Sequence, residues 1–348
     1  MRALTFHGIE TIHYESVPDA KIESPGDVIV NVRLAGICGS DLHPYHGREK
    51  GLDAGTVMGH EFAGEIVELG KDVRKFNKGD FVLSPFTTNC GDCFYCRKNL
   101  PCRCTAGQLF GWVQNGAGLH GGQAEFVRVP LADSTLLRAP ENVLPEEALL
   151  LGDVFSTGCF CAEMAEIKAG GVYAVIGCGP VGLMAIIGAR ELGAEKIYAI
   201  DTIPERLALA AKFGATLIDY QKENPPAVIR DVTEGRGADA VLEAVGSPAA
   251  ARLALDLVRP AGIIAVAGVH TEEHFAFSPT EAYDKNLTYK VGRCPARYYA
   301  ERLIPIAQKK KYDLTAIISH RLPLAEGVRG YKIFAEKLEG CTKVVLKT

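Results

Sequence analysis

The chain has 348 residues, 47% hydrophobic and 23% charged, a composition that excludes intrinsic disorder and allows a sizeable core. At roughly 150 residues per domain, that length predicts two domains. Lys and Arg number 38 against 42 Asp and Glu, for a net charge of −4, which gives no support to a nucleic-acid partner, since that needs a concentrated basic surface.

The N-terminal MRALTFHGIE holds no long apolar core, so nothing marks export and a cytoplasmic location is expected. Short β-branched runs follow, separated by Gly and Pro: Val28–Val32, Gly64–Leu69, Phe81–Leu83 and Ala124–Val129. They predict a compact, mostly β unit. From Pro145 the texture changes to alternating strands and helices. Strands are predicted at Val172–Ile176, Lys196–Ile200, Thr216–Ile218, Ala238–Ala244 and Gly262–Ala267. Helices are predicted near Gly179–Leu192, Pro204–Phe213 and Pro248–Leu257. This alternation indicates an α/β, doubly wound parallel sheet. A helix (Tyr298–Gln308) and a last strand (Lys343–Leu346) end the chain, and the β-rich first unit is the expected host of that strand. The uncharged stretch 169–189 is nominally long enough to cross a bilayer. The turn signal Ile176-Gly177-Cys178-Gly179-Pro180 at its centre breaks it into a strand and a helix, so no membrane partner is expected.

Gly177-Cys178-Gly179-Pro180-Val181-Gly182 has the G-x-G-x-x-G spacing. The first glycine permits the strand-to-helix turn, the second a close approach of pyrophosphate, and the third tight helix–strand packing. The helix N-terminus then offers free N–H groups and a positive dipole end. Asp201, at the end of the next strand, suits the ribose hydroxyls and repels a 2′-phosphate, so NAD is preferred over NADP. Arg206 can moderate that repulsion.

Eleven cysteines in a chain without an export signal are metal ligands, nucleophiles or buried fillers before they are disulfides. Cys90, Cys93, Cys96 and Cys104 form C-x2-C-x2-C-x7-C, spacing that wraps a tetrahedral ion in the manner of a structural zinc site. An iron–sulfur cluster or unrelated surface thiols are the alternatives, and Cys102 does not fit the spacing. A second set is dispersed: Cys38 in Gly36–His43, His60 and Glu61 after Gly59, and Asp153 after Gly152. Singly, each has a plain structural explanation, and spacing does not connect them.

The segments Gly36–His43, Gly59–Gly64 (GHEFAG), Lys78-Gly79-Asp80, the four-cysteine knuckle and the GCGPVG turn with Asp201 together resemble the zinc-dependent alcohol dehydrogenases of the medium-chain dehydrogenase/reductase family. They run in family order along essentially the whole chain. Leu150–Gly158 (LLGDVFSTG) is similar to the formaldehyde-dehydrogenase-like bacterial branch, in which an aspartate ligates where the animal enzymes use cysteine. The resemblance implies a GroES-like catalytic domain (1–152 and 292–348) interrupted by a Rossmann domain (153–291) that binds NAD. It implies two zinc ions per subunit, one structural and one catalytic on Cys38, His60 and Asp153. Glu61 becomes a carboxylate able to enter coordination, Asp41 orients a ligand histidine, and Ser40 and His43 form a proton relay. Phe86 and Trp112 line the substrate pocket. Val269 joins the cofactor residues, and Lys343 matches a basic residue for the cofactor phosphates. Gly39 departs from the arginine of the animal enzymes, which shifts pyrophosphate binding onto the glycine turn.

The implied reaction is reversible oxidation of a small alcohol to an aldehyde or ketone, with hydride passed to NAD. A polyol or formaldehyde-type substrate is the alternative within the family. A metal-free quinone or enoyl reductase would lack the ligand set, and a zinc-ribbon binding module would lack the dinucleotide turn. Family members form dimers or tetramers, and a homotetramer is expected here, with Gly262–Ala267 and its neighbours at the interface.

Overall fold

A computed structural model describes all residues, 1–348. It divides into two compact units, Met1–Asp153 with Pro295–Thr348, and Val154–Cys294. The expected boundaries of 152/153 and 291/292 are corrected accordingly. Asp153 belongs to the first unit because the helix Pro145–Gly152, which ends at it, is the last element before the crossing.

The first unit is built on a seven-stranded sheet. Its main path runs Leu137–Arg138, Phe81–Leu83, Glu61–Leu69, Val28–Ile37, Val344–Lys347, His320–Pro323, with Phe126–Val129 also paired to Val28–Ile37. The terminal strand runs antiparallel to Val28–Ile37, Val344 facing Ile37 and Lys347 facing Leu34. A smaller sheet joins Thr11–Ser16, Arg2–Gly8 and Thr56–Val57. The β-branched run at Val28 buries both faces, its residues lying at 0–3% exposure through Val30, as a central strand must. Gly64 is required where Glu61–Leu69 pairs with Val28–Ile37 beside a register shift, since a Cβ there would stand 2.1 Å from the Asn31 carbonyl oxygen. Phe62 and Phe110 meet edge to face at 5.0 Å. Full burial of a Phe62-sized side chain is worth about 2–3 kcal/mol.

The second unit is a six-stranded parallel sheet in the order Thr216–Asp219, Lys196–Asp201, Val172–Ile176, Ala238–Glu243, Val258–Val266, Thr288–Val291. Strand order reverses at Val172–Ile176, which makes the carboxyl end of that strand the switch point where α/β sheets bind ligands. The strand predicted at Gly262–Ala267 begins earlier, at Val258, and is not an edge: Thr288–Val291 pairs outside it. The helix Val154–Met164, absent from the sequence expectations, packs on Pro180–Glu191 through two glycines. A Cβ at Gly158 would stand 2.5 Å from the Ala185 nitrogen, and one at Gly188 2.9 Å from Cys159 Cα. Small residues let these two backbones approach, Cys159 among them, while the buried Cys161 thiol donates to the Ala265 carbonyl at 3.5 Å. No helix of the structure is long and apolar enough to cross a membrane.

Candidate active site and metal centres

The dispersed set converges. Cys38 follows the long strand Val28–Ile37, His60 and Glu61 open the strand Glu61–Leu69, and Asp153 caps the helix Pro145–Gly152. Their ligand atoms all lie within 4.8 Å of one another. Cys38 Sγ is 3.5 Å from Asp153 Oδ2, and His60 Nε2 is 3.3 Å from the same carboxylate. Thiol, imidazole and carboxylate are the donor set zinc accepts, and the cluster is buried with more negative than positive groups at its centre. Burial pushes the Cys38 thiol upward, and the Asp153 carboxylate pushes it further. A divalent cation supplies the missing positive charge, so the residues fit a zinc ion.

The orientation of His60 is set from behind. Burial opposes protonation of His60, but the Asp41 carboxylate and Cys38 outweigh it and raise its pKa well above the ordinary value. Asp41 Oδ1 lies 3.1 Å from His60 Nδ1, and Asp41 Oδ2 accepts from the Cys38 backbone N–H at 2.9 Å. One carboxylate thus turns Nε2 of the histidine toward the cluster and fixes the cysteine's loop, the outer-shell support typical of ligating histidines. Behind it, Gln123 Nε2 donates to Asp41 Oδ2 at 3.3 Å and to the Gly36 carbonyl at 3.0 Å, and the Tyr331 hydroxyl donates to Gln123 Oε1 at 2.8 Å. Gln123 and Tyr331 carried no signal in the sequence. Both come from segments remote from every motif.

Ser40 Oγ lies 3.4 Å from both Cys38 Sγ and His60 Nε2, beside the ligands. His43 stands three residues on, in the short helix Leu42–Tyr45. Phe86 sets its ring edge to face against His60, with centroids 6.3 Å apart. Trp112 belongs to a separate two-stranded hairpin with Ala117–Leu119, so it is Phe86 that the fold brings against a ligand.

Lys343 departs from the role that the resemblance implies: it does not serve cofactor phosphates but is fully buried in the first unit, with Nζ 2.6 Å from Glu61. Burial raises the Glu61 carboxyl and Lys343 works against that rise. For Lys343 itself, burial opposes the charge, but Glu61 together with Cys38 and Asp153 outweighs that cost and raises its pKa. Gly36 leaves room for this pair, since a Cβ there would sit 2.2 Å from Glu61 Oε2. Glu61 is therefore tethered beside the ligand cluster by an ion pair from the far end of the chain.

The four-cysteine knuckle also converges, its sulfurs within 4.8 Å of one another, and all eleven cysteines are free thiols. Backbone N–H groups of Cys96 and Thr105 bring the Cys93 thiol down to about 6, while burial pushes Cys96 up to about 12. Cys90 N–H donates to Cys104 Sγ at 3.1 Å, and Cys93 N–H to Cys90 Sγ at 3.3 Å. N–H groups aimed at sulfur stabilise thiolates, the form that binds metal, and four sulfur donors suit a closed zinc site. Cys102 is buried apart from them.

In the second unit, Gly177 takes φ +86°, and a Cβ on Gly182 would stand 1.8 Å from the Gly177 carbonyl. Pro180 occupies the first turn of the helix that Gly179 caps, with Val181 next. Asp201 closes its strand and accepts from the N–H groups of Cys178, Thr202 and Ile203 at 2.6–2.9 Å, so it builds the loop as well as facing it. The Arg206 guanidinium lies 3.8 Å from the Cβ position of Gly179. Val269 packs its backbone against Gly246, whose Cβ would be 2.4 Å from the Val269 carbonyl.

The model of the alcohol dehydrogenase GroES-like domain matches residues 24–141, and that of the zinc-binding dehydrogenases matches residues 180–308. Zinc-type alcohol dehydrogenase B of Aspergillus flavus is 41% identical over 356 residues, covering 100% of this chain and 81% of that protein. The chain belongs to the zinc-type alcohol dehydrogenases. Its GroES-like and Rossmann units, its zinc dependence, its nicotinamide cofactor and its oxidation of alcohols are those of the family. Alcohol dehydrogenase TADH from Thermus sp. ATN1 superposes with a TM-score of 0.92 at 40% identity, over 100% of this chain and 99% of that one. The NADP-dependent isopropanol dehydrogenase of Thermoanaerobacter brockii is 33% identical over 303 residues, 85% of each protein.

Proposed function

We propose that this alcohol dehydrogenase prefers NAD and holds two zinc ions per subunit, one on Cys38, His60 and Asp153 and one on Cys90, Cys93, Cys96 and Cys104. The convergence of Cys38, His60, Asp153 and Glu61 on one buried point carries the reading. When bound, zinc acts as a Lewis acid that lowers the proton affinity of the alcohol oxygen. The protein's own residues do the rest. Asp41 keeps His60 turned toward the ligand cluster, Phe86 shields it, and the Ser40 hydroxyl stands where it can accept the alcohol proton and pass it outward with His43. Glu61, held by Lys343, stays close enough to replace a departing ligand.

The Asp201 carboxylate favours NAD, because it attracts ribose hydroxyls and repels a 2′-phosphate. Arg206 nearby and the NADP-dependent relative favour the other cofactor, so both are assayed. The substrate proposed is a small alcohol, with polyols and formaldehyde as the alternatives. A homotetramer is proposed on family analogy. Any sheet-edge interface would use Thr288–Val291 rather than the interior Gly262–Ala267 strand.

The deciding experiment follows reduction of NAD and of NADP with simple alcohols, polyols and formaldehyde, alongside zinc content and light scattering. Two zinc ions per chain, faster turnover with NAD and loss of activity on chelation are expected, and Asp201→Ser should narrow the NAD preference at least tenfold. Full activity in zinc-free protein would overturn the catalytic assignment.

A further inference from the structure

Three metal-binding side chains lie on the N-terminal hairpin and take no part in the chemistry above. His7 belongs to the strand Arg2–Gly8, and His13 and Glu15 to Thr11–Ser16. The two strands pair antiparallel with Thr5 opposite His13 and Ala3 opposite Glu15. Side chains alternate between faces along a strand, so Thr5, His7, His13 and Glu15 share one face. The imidazoles stack with centroids 4.3 Å apart and planes 24° from parallel. His7 Nε2 is 2.7 Å from Glu15 Oε1, and the Thr5 hydroxyl donates to that same oxygen. One donor atom from each of His7, His13 and Glu15 lies within 4.8 Å of the others.

We propose that His7, His13 and Glu15 form a surface binding site for a borderline divalent transition-metal ion such as nickel. Two imidazoles and one carboxylate match that class of ion, whereas magnesium and calcium demand oxygen ligands. Glu15 is the anionic member: the Thr5 hydroxyl, then His7, hold its carboxyl below the ordinary range. Adjacent donors around a square-planar or octahedral ion at about 2.1 Å stand about 3.0 Å apart. Reaching that from 4.8 Å takes only side-chain rotation, which exposed His7 and His13 can make. Binding joins the two strands through their side chains. Thr5 also pairs with Val57 in the third strand of this sheet, three residues before the proposed ligand His60, so the site adjoins the strand that enters the catalytic loop.

The test is calorimetric titration of the zinc-loaded enzyme with nickel chloride at pH 7.5, with zinc content measured before and after. One additional nickel ion per chain is expected, with no release of zinc. His7→Ala and His13→Ala should each weaken uptake at least tenfold while unfolding at the wild-type temperature. Glu15→Gln should weaken it less but measurably, and His320→Ala, in the seven-stranded sheet, should leave it unchanged. No uptake at millimolar nickel, nickel matched by released zinc, or wild-type affinity in any of the three site variants would overturn the assignment.

Discussion

Cys38 and Lys343 are the residues at which single substitutions are most informative. Cys38→Ser removes a soft anionic donor from the converged cluster and should abolish turnover while leaving NAD affinity, read by quenching of nucleotide fluorescence, within about twofold. Parallel loss of both would remove the catalytic metal role from Cys38. Lys343→Met strands the fully buried Glu61 carboxylate, and an uncompensated buried charge costs about 3–5 kcal/mol. Urea unfolding should record that loss, and Lys343→Met combined with Glu61→Leu should recover most of it. If the single variant unfolds at the wild-type midpoint, the ion pair is not what holds Glu61. Cys38 was legible as a candidate from its motif. The role of Lys343 was not, because nothing local to residues 340–348 reveals that Glu61 stands opposite.

At the scale of elements, the glycine turn and the knuckle behave differently. In the Rossmann unit, Gly182 meets backbone rather than a movable side chain, at 1.8 Å from the Gly177 carbonyl. Gly182→Ala must therefore separate helix from strand, and dinucleotide affinity should fall more than tenfold, measured by fluorescence titration. Retained affinity would show that the helix start can shift without harm. This spacing was readable in the sequence because the turn, the strand before it and the helix after it are contiguous. The helix Val154–Met164 was not readable: its Ser, Thr, Gly and Cys content has weak helix propensity, and only packing against Pro180–Glu191 makes it one. Likewise the outer strand Thr288–Val291 was not predicted, since four residues are too short to announce themselves.

For the whole molecule, metal binding and stability are linked. A closed four-sulfur site contributes its binding free energy to folding. Cys93→Ser should cost one zinc per chain and lower the unfolding temperature measured by calorimetry. Wild-type zinc content and stability in that variant would discard the structural site. The sign of the pH dependence follows from the thiols. Above about pH 6 Cys93 is already thiolate, whereas Cys96, near 12, must lose its proton when zinc arrives. Zinc uptake by apoprotein at pH 7 should release protons into a weakly buffered solution, and apparent affinity should fall as pH is lowered. Uptake without proton release would contradict the bound-thiolate arrangement.

The doubly wound α/β unit, the dinucleotide turn and the cysteine knuckle are legible in the order of the amino acids, because each rests on periodicity or on spacing within one short segment, and chain length alone predicts two domains. The resemblance to a known family, rather than any spacing, joined Cys38, His60 and Asp153. The same resemblance pointed to Asp41 as the brace of His60, whereas only the tertiary structure shows that Gln123 and Tyr331 back it and that Lys343 serves Glu61 and not a cofactor. The tertiary structure also decided that two histidines and a glutamate share one face of the first hairpin. The Lys343–Glu61 contact spans 282 residues of chain and rests on the terminal strand pairing with Val28–Ile37. Only the register of that pairing determines which side chains meet.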